Sequence, residues 1–211
     1  MKSKSSIKAA VLSSSVAAGM LSSCNTGSKE GGGADTDSTN AALECIMTRT
    51  SVREYQNRPV GRDTVEILLR AAMAAPTAVN KQPWTFVVVD EREVLDSLTA
   101  YLPYARMLAH APLAIVTCGD MTRAIEGDAR EMWVQDVSAA TENLLLAAHA
   151  VGLGAVWTGV YPIDERVEGV RKALALPDNL VPLAVVPVGY PAKDSEPKDK
   201  WDAGKVMFNR Q

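Results

Sequence analysis

The sequence predicts an α+β domain in which helices cover a sheet of apolar strands, and three observations predict it. Val65, Leu68, Leu69, Ala72 and Met73 recur at the spacing of an amphipathic helix, which runs through a short loop into the β-branched Val87-Val88-Val89. Residues 128–151 place Trp133, Val137, Ala140, Leu144, Leu145 and Ala148 on one wide apolar face, as a central buried helix would. Residues 113–118 and 181–188 are short apolar runs of strand type.

The 211 residues, 47% of them hydrophobic, suffice for one sizeable core without disulfide staples. A net charge of −3 offers no strongly basic face to nucleic acid. No apolar run approaches the roughly 18 residues of a membrane span.

The N-terminal segment is expected to lie outside this domain. Lys2, Lys4 and Lys8 form a basic start, residues 9–20 a serine-diluted apolar stretch, and Leu21-Ser22-Ser23-Cys24 resembles the lipobox of bacterial lipoprotein signal peptides. That resemblance implies a signal peptide over 1–23 and a lipidated Cys24. It also implies a membrane-anchored protein on the periplasmic or cell-surface side; without the signal the address would be cytoplasmic. Residues 24–40, rich in glycine, serine and aspartate, are expected to be a flexible tether. The folded domain should then span 41–211.

Within the domain, 41–49 should be helical, with Leu43, Ile46 and Met47 on one side. Arg49-Thr50-Ser51-Val52-Arg53-Glu54-Tyr55 follows. Two arginines and two hydroxyls this close can converge on a phosphate, or can be solvated groups at a helix end. The helix of Val65–Met73 should stop at Pro76, which lacks an N–H and disfavours helical geometry before it. Thr77, Asn80, Lys81, Gln82 and Trp84 then crowd a loop that a plain turn would fill with glycine or asparagine. Amides held on such a loop suit the donor–acceptor edge of a planar heterocycle.

Helices are expected over 91–101 and 164–176, the second stopped by Pro177. Gly152 should close the long helix as its C′ residue. The segment Gly152 to Gly159 is not a dinucleotide loop, since it follows a helix and has Trp157 at the third glycine position; its glycines are expected to let backbone approach a flat ligand. The tail from Pro191 carries Lys193, Lys198, Lys200, Trp201, Lys205 and Arg210 and should wrap another surface. Cys45 and Cys118 read as buried free thiols, with a disulfide between them left open. Lone His110 and His149, with no Cys/His cluster, give no metal site.

Arg49-x-Ser51-x-Arg53-x-Tyr55, then Ala75-Pro76-Thr77-x-x-Asn80-x-Gln82-Pro83-Trp84, then Gly152-Leu153-Gly154, taken together, resemble the nitroreductase family of FMN-dependent oxidoreductases. The resemblance covers residues 41–211. It implies a sandwich with a mixed or antiparallel central sheet flanked by helices, in an intertwined homodimer with FMN at the interface and the C-terminal tail crossing to the partner. It implies that Arg49, Thr50 and Ser51 hold the phosphate and ribityl chain, with Lys198 and Lys200 completing that site. Arg53 should approach the pyrimidine side of the ring, while Pro76, Thr77, Asn80 and Gln82 form the loop that faces the flavin edge. The backbone of Thr158 and Gly159 should lie near N5, where many members carry a glutamate beside the glycine and this chain carries Thr158.

The implied reaction passes hydride from NAD(P)H through the flavin to an electron-poor acceptor such as a nitroaromatic or quinone, both using one face in turn. Reductive dehalogenation, flavin fragmentation and flavin binding without turnover remain open alternatives within the same resemblance.

Overall fold

The computed structural model describes residues 40–209. The expected signal peptide, Cys24 and all of the expected tether except Asn40 lie outside the described residues. The chain runs through helices α1 (Ala41–Thr48) and α2 (Arg62–Met73), strand β1 (Trp84–Val89), helix α3 (Arg92–Tyr101) and strand β2 (Leu113–Asp120). Helix α4 (Met132–Ala150), the short strands β3 (Gly154–Ala155) and β4 (Thr158–Gly159), helix α5 (Asp164–Leu174) and strand β5 (Leu180–Gly189) follow.

The sheet is antiparallel throughout, in the order β1-β2-β5-β3, with β4 also paired to β5. Helices cover both of its faces, which is why β2 and β5 are almost uninterrupted apolar runs. Successive side chains of β2 divide between two cores as the pleat requires. Ala114, Val116 and Cys118 join Leu95 and Leu98 of α3 and Val170 of α5. Leu113 and Ile115 join Leu68 and Ala72 of α2 and Ala140, Leu144 and Ala148 of α4. The predicted apolar face of α4, from Trp133 to Ala148, is buried in full.

Prolines sit at 182 and 187 of β5, an inner strand. The register between β2 and β5 slips there, Thr117 facing Ala184 and Cys118 facing Pro182. The extra residue, Leu183, turns its carbonyl to the amides of Val160 and Tyr161. A bulge thus accommodates a residue with no N–H to donate.

Several boundaries differ from expectation. Helix α2 stops at Met73, before Pro76, because Ala75 precedes a proline and is driven out of helical geometry. Helix α4 begins at Met132 instead of 128, after a 3₁₀ turn at Gly127–Ala129 whose Gly127 has φ +69°. Helix α5 ends at Leu174, capped by Ala175 at φ +48°, short of the expected 176.

Both described cysteines are free, so the disulfide left open by the sequence is absent here. Cys118 is buried, and desolvation pushes its thiol up to about 12. Cys45 is half-buried, with Sγ 3.4 Å from the carbonyl of Leu146. His149, in the last turn of α4, lies 2.8 Å from Thr48 Oγ1, a helix-end role. Among the described residues no group of three His, Cys, Asp or Glu could hold a metal. No helix among them is long and apolar enough to cross a membrane.

Candidate functional site

The arginine segment is fastened to the glycine segment by backbone. Ser51 bridges in parallel to Ala155, and the amide of Val52 donates to the carbonyl of Ala155 at 3.1 Å. The join is tight: a Cβ added to Gly154 would come within 2.5 Å of Val52 Cβ and Cγ1. Gly154 therefore admits a neighbouring side chain, where the sequence led us to expect close approach of a ligand. Tyr55 anchors the far end, its hydroxyl 2.7 Å from the carbonyl of Val52 and 3.2 Å from that of Pro187. Burial raises the Tyr55 phenol well above its ordinary range, the charge of Arg53 opposing only in part, so it stays a neutral donor.

Gly159 is built differently. Val156 and Val160 donate their amides to carbonyls of β5, Pro187 and Leu183. Strand residues alternate, so Gly159, an odd step away, turns both its N–H and its C=O outward. Its carbonyl accepts from Arg166 Nη1 at 3.2 Å. An added Cβ would meet nothing within 4 Å, leaving the backbone bare for a flat group to lie against. The Thr158 hydroxyl donates to the carbonyl of Val185, so this side chain is committed to the sheet.

These two segments share one pocket of about 190 Å³. Arg53, Thr158, Gly159 and Arg166 meet there with Tyr104 and Trp157, and its walls contain no carboxylate. Neither Arg53 nor Arg166 forms an ion pair among the described residues. Arg49 is mostly buried, and its Nε sits 3.3 Å from Glu142 on α4. That contact holds the guanidinium through Nε, and the next two residues, Thr50 and Ser51, are half-buried.

The loop from Pro76 to Trp84 is equally well built, but elsewhere. Val79, Asn80 and Gln82 all have positive φ, at 43°, 55° and 49°, which is costly for residues with a Cβ and severe for a β-branched one. Three contacts hold them so. The amide of Ala78 donates to buried Asp136 at 2.8 Å, that of Gln82 to Thr77 Oγ1 at 3.1 Å, and Gln82 Nε2 to Asn80 Oδ1 at 2.9 Å. Asn80 and Gln82 are exposed. The loop opens into β1, at the opposite sheet edge from β4, with β2 and β5 between. Three strand spacings amount to about 14 Å. Within one chain the amides therefore do not join the pocket of Arg53 and Gly159.

Lys198 and Lys200 are not brought there either. Among the described residues the tail is tied to the domain at its root, where Pro191 bridges to Tyr55 and Lys193 pairs with Glu54 at 2.6 Å. Beyond that, 194–209 is exposed, including Trp201 and Phe208, the latter 83% accessible.

Sequence reasoning missed Arg166 and the Leu102–Met107 segment. Arg166 did leave a trace: it is a cation in the first turn of a helix, where the macrodipole disfavours one.

A model described as the nitroreductase family matches residues 46–103 and 96–190. A protein of Methanothermobacter thermautotrophicus with the provisional name NADH dehydrogenase/NAD(P)H nitroreductase is 46% identical over 169 residues, 80% of this chain and 86% of its own length. The crystal structure of a Bacteroides thetaiotaomicron protein of the same provisional name superposes with a TM-score of 0.78 at 48% identity, covering 82% of this chain and all of that one. A provisionally named nitroreductase from Desulfovibrio desulfuricans, solved in complex with FMN, gives 0.71 at 30% identity over 82% of this chain and 99% of its own.

Proposed function

The chain belongs to the nitroreductase family, and on that premise we propose that it is an FMN-dependent oxidoreductase passing hydride from NAD(P)H to an electron-poor acceptor such as a nitroaromatic or quinone. One observation carries the reading: a pocket shared by Arg53, whose guanidinium forms no ion pair among the described residues, and the bare, outward-turned backbone of Gly159.

The donor set fits FMN. The terminal nitrogens of Arg49, with Thr50 and Ser51, suit a phosphate and the polyol behind it. The unpaired charge of Arg53 suits the pyrimidine side of the ring, and the Gly159 amide suits a ring nitrogen that accepts a hydrogen bond. Bound there, FMN supplies a two-electron carrier that accepts hydride from a nicotinamide and delivers it to the acceptor, each entering one face in turn. Arg53 then favours the negatively charged reduced state. The Thr158 hydroxyl, held by Val185, supplies no proton, and water serves for that step.

We further propose that the working form is a homodimer. Asn80 and Gln82 lie at the wrong edge of the sheet to reach their own chain's pocket, and a second copy would bring its loop there. Apolar side chains await such cover on α1 (Leu43, Ile46 and the 72% accessible Met47) and on the tail (Trp201, Phe208). The tail crossing to the partner would also deliver Lys198 and Lys200.

We propose in addition that the N-terminal segment is removed before Cys24 and the cysteine lipidated. Export would separate the protein from the cytoplasmic NAD(P)H pool, so a lipidated protein calls for another donor; the proposals on address and donor constrain one another.

The decisive experiment is an absorbance spectrum of purified protein followed by anaerobic addition of NADH or NADPH. A flavin spectrum that bleaches with a nicotinamide and returns with a quinone is expected. Folded, colourless protein that ignores added FMN overturns the cofactor; a flavin spectrum unmoved by both nicotinamides overturns the donor.

A further inference from the structure

The pocket holds a second cation that the reading above leaves unused. Arg166 stands in the first turn of α5, where the free amides already present a positive helix end. Asp164 and Glu165 share that turn but do not line the pocket. The guanidinium is fixed at two points, 3.2 Å from the Gly159 carbonyl and 5.6 Å from the centre of the Tyr104 ring. Leu102, Met107, Val156 and Trp157 supply apolar walls, which weaken the screening of any charge inside.

Two guanidiniums facing one small cavity, without a carboxylate between them, oppose each other until an anion enters. Arg166 is also joined, through the carbonyl, to the residue whose backbone lines the pocket. That hydrogen bond holds the guanidinium against the pocket's backbone wall, so Arg166 supplies a positive charge at a fixed position beside Gly159.

We propose that Arg166, held in place by the Gly159 carbonyl, is a charge-supplying residue of the flavin site: together with Arg53 it makes the pocket bind reduced, anionic FMN in preference to neutral oxidised FMN. The proposal rests on the FMN reading and adds no redox step. It assigns the source of a preference, which appears as a raised reduction potential of the bound cofactor.

The test compares wild type with Arg166→Gln and Arg166→Lys, measuring dissociation constants for oxidised FMN and for FMN reduced anaerobically with dithionite, and the midpoint potential of the bound flavin. The Gln variant keeps a donor for the Gly159 carbonyl and loses the charge; the Lys variant keeps the charge. In Arg166→Gln the preference for reduced FMN should fall about tenfold, equivalent to a midpoint lower by about 30 mV for a two-electron couple. Arg166→Lys should retain most of that preference. Equal weakening of both redox forms in Arg166→Gln, or no change in either, overturns the proposal. Wild type that binds neither form overturns the cofactor reading beneath it, an outcome separable from the first because it appears before any substitution.

Discussion

Val52 stands where a side chain on Gly154 would have to be: an added Cβ would lie 2.5 Å from Val52 Cβ, well inside contact distance. Gly154→Ala must therefore push the arginine segment off β3, at a cost of about 1–3 kcal/mol. Gly159→Ala meets open space and should leave the melting temperature unchanged while its methyl group fills the pocket floor. Thermal melts with FMN titrations separate the two. The first variant should lose stability and affinity together, the second affinity alone. Equal melting temperatures for Gly154→Ala and wild type would contradict the packing described.

The buried scaffold was legible in the sequence because periodicity reports burial directly. Trp133, Val137 and Leu144 mark one face of α4, and the apolar runs mark β2 and β5; Val87-Val88-Val89 marks β1, but that edge strand is only half-buried, with Val88 exposed. The two motifs were legible too, since Arg49–Arg53 and Pro76–Trp84 carry residue types that turns and helix ends do not need. Their arrangement was not. Nothing local in Asn80 says that β2 and β5 will separate it from Gly159, because strand order is a global property of the chain. Arg166 stayed hidden for a related reason: a cation in the first turn of a helix is a faint signal, and it gains its meaning only when α5 folds back beside β4. Gly154 and Gly159, five residues apart, read alike until one faces Val52 and the other faces space.

Asp136 is the post that holds the positive-φ loop. Its carboxylate accepts the amide of Ala78, whose neighbours Val79 and Asn80 would otherwise relax out of the left-handed region. Asp136→Ala leaves a partly buried donor unsatisfied and should cost about 1–3 kcal/mol in urea unfolding, whereas Asp136→Asn keeps an acceptor and should cost less. The loosened loop should also raise KM for the acceptor. Unfolding midpoints indistinguishable between Asp136→Ala and wild type would refute this role.

If two copies share each site, defects on opposite elements should complement. Arg49→Ala removes the proposed phosphate clamp yet breaks only a partly exposed pair with Glu142, so stability should drop by at most about 1 kcal/mol. An Asn80→Ala, Gln82→Ala double variant removes the other half. Each alone should release FMN. Mixed after dissociation and reassociation, the two should regain one intact site per mixed dimer, read as recovered flavin binding. No recovery, with mixed dimers demonstrated, would place both elements in the same protomer's site.

The proposed anchor has its own test. Cys24→Ala should move the protein from the membrane fraction to the soluble fraction and abolish incorporation of labelled palmitate, with the 41–211 domain still folded. Wild type that takes up no label refutes the anchor and leaves the NAD(P)H assignment free of its conflict with export.

Asp120 ties the end of β2 to the loop before β5. Its Oδ1 accepts from Asn179 Nδ2 at 2.9 Å, Thr122 Oγ1 at 2.7 Å and the Thr122 amide at 3.0 Å. Partial burial pushes its carboxyl upward, but the Thr122 and Asn179 hydrogen bonds and the nearby Arg123 outweigh this and hold it below the usual carboxylate range. The folded chain thus binds its proton less readily than the unfolded chain. The stabilisation is fully present above the unfolded-state value of about 4 and disappears as pH falls through the lower folded-state value. The group is largely exposed, so the effect after screening should be under about 1 kcal/mol. Asp120→Asn should accordingly be slightly less stable than wild type between about pH 5 and 8, with the gap closing at more acid pH. A gap that widens on acidification would mean that the carboxylate is held above its ordinary range and that the hydrogen bonds from Thr122 and Asn179 do not govern it.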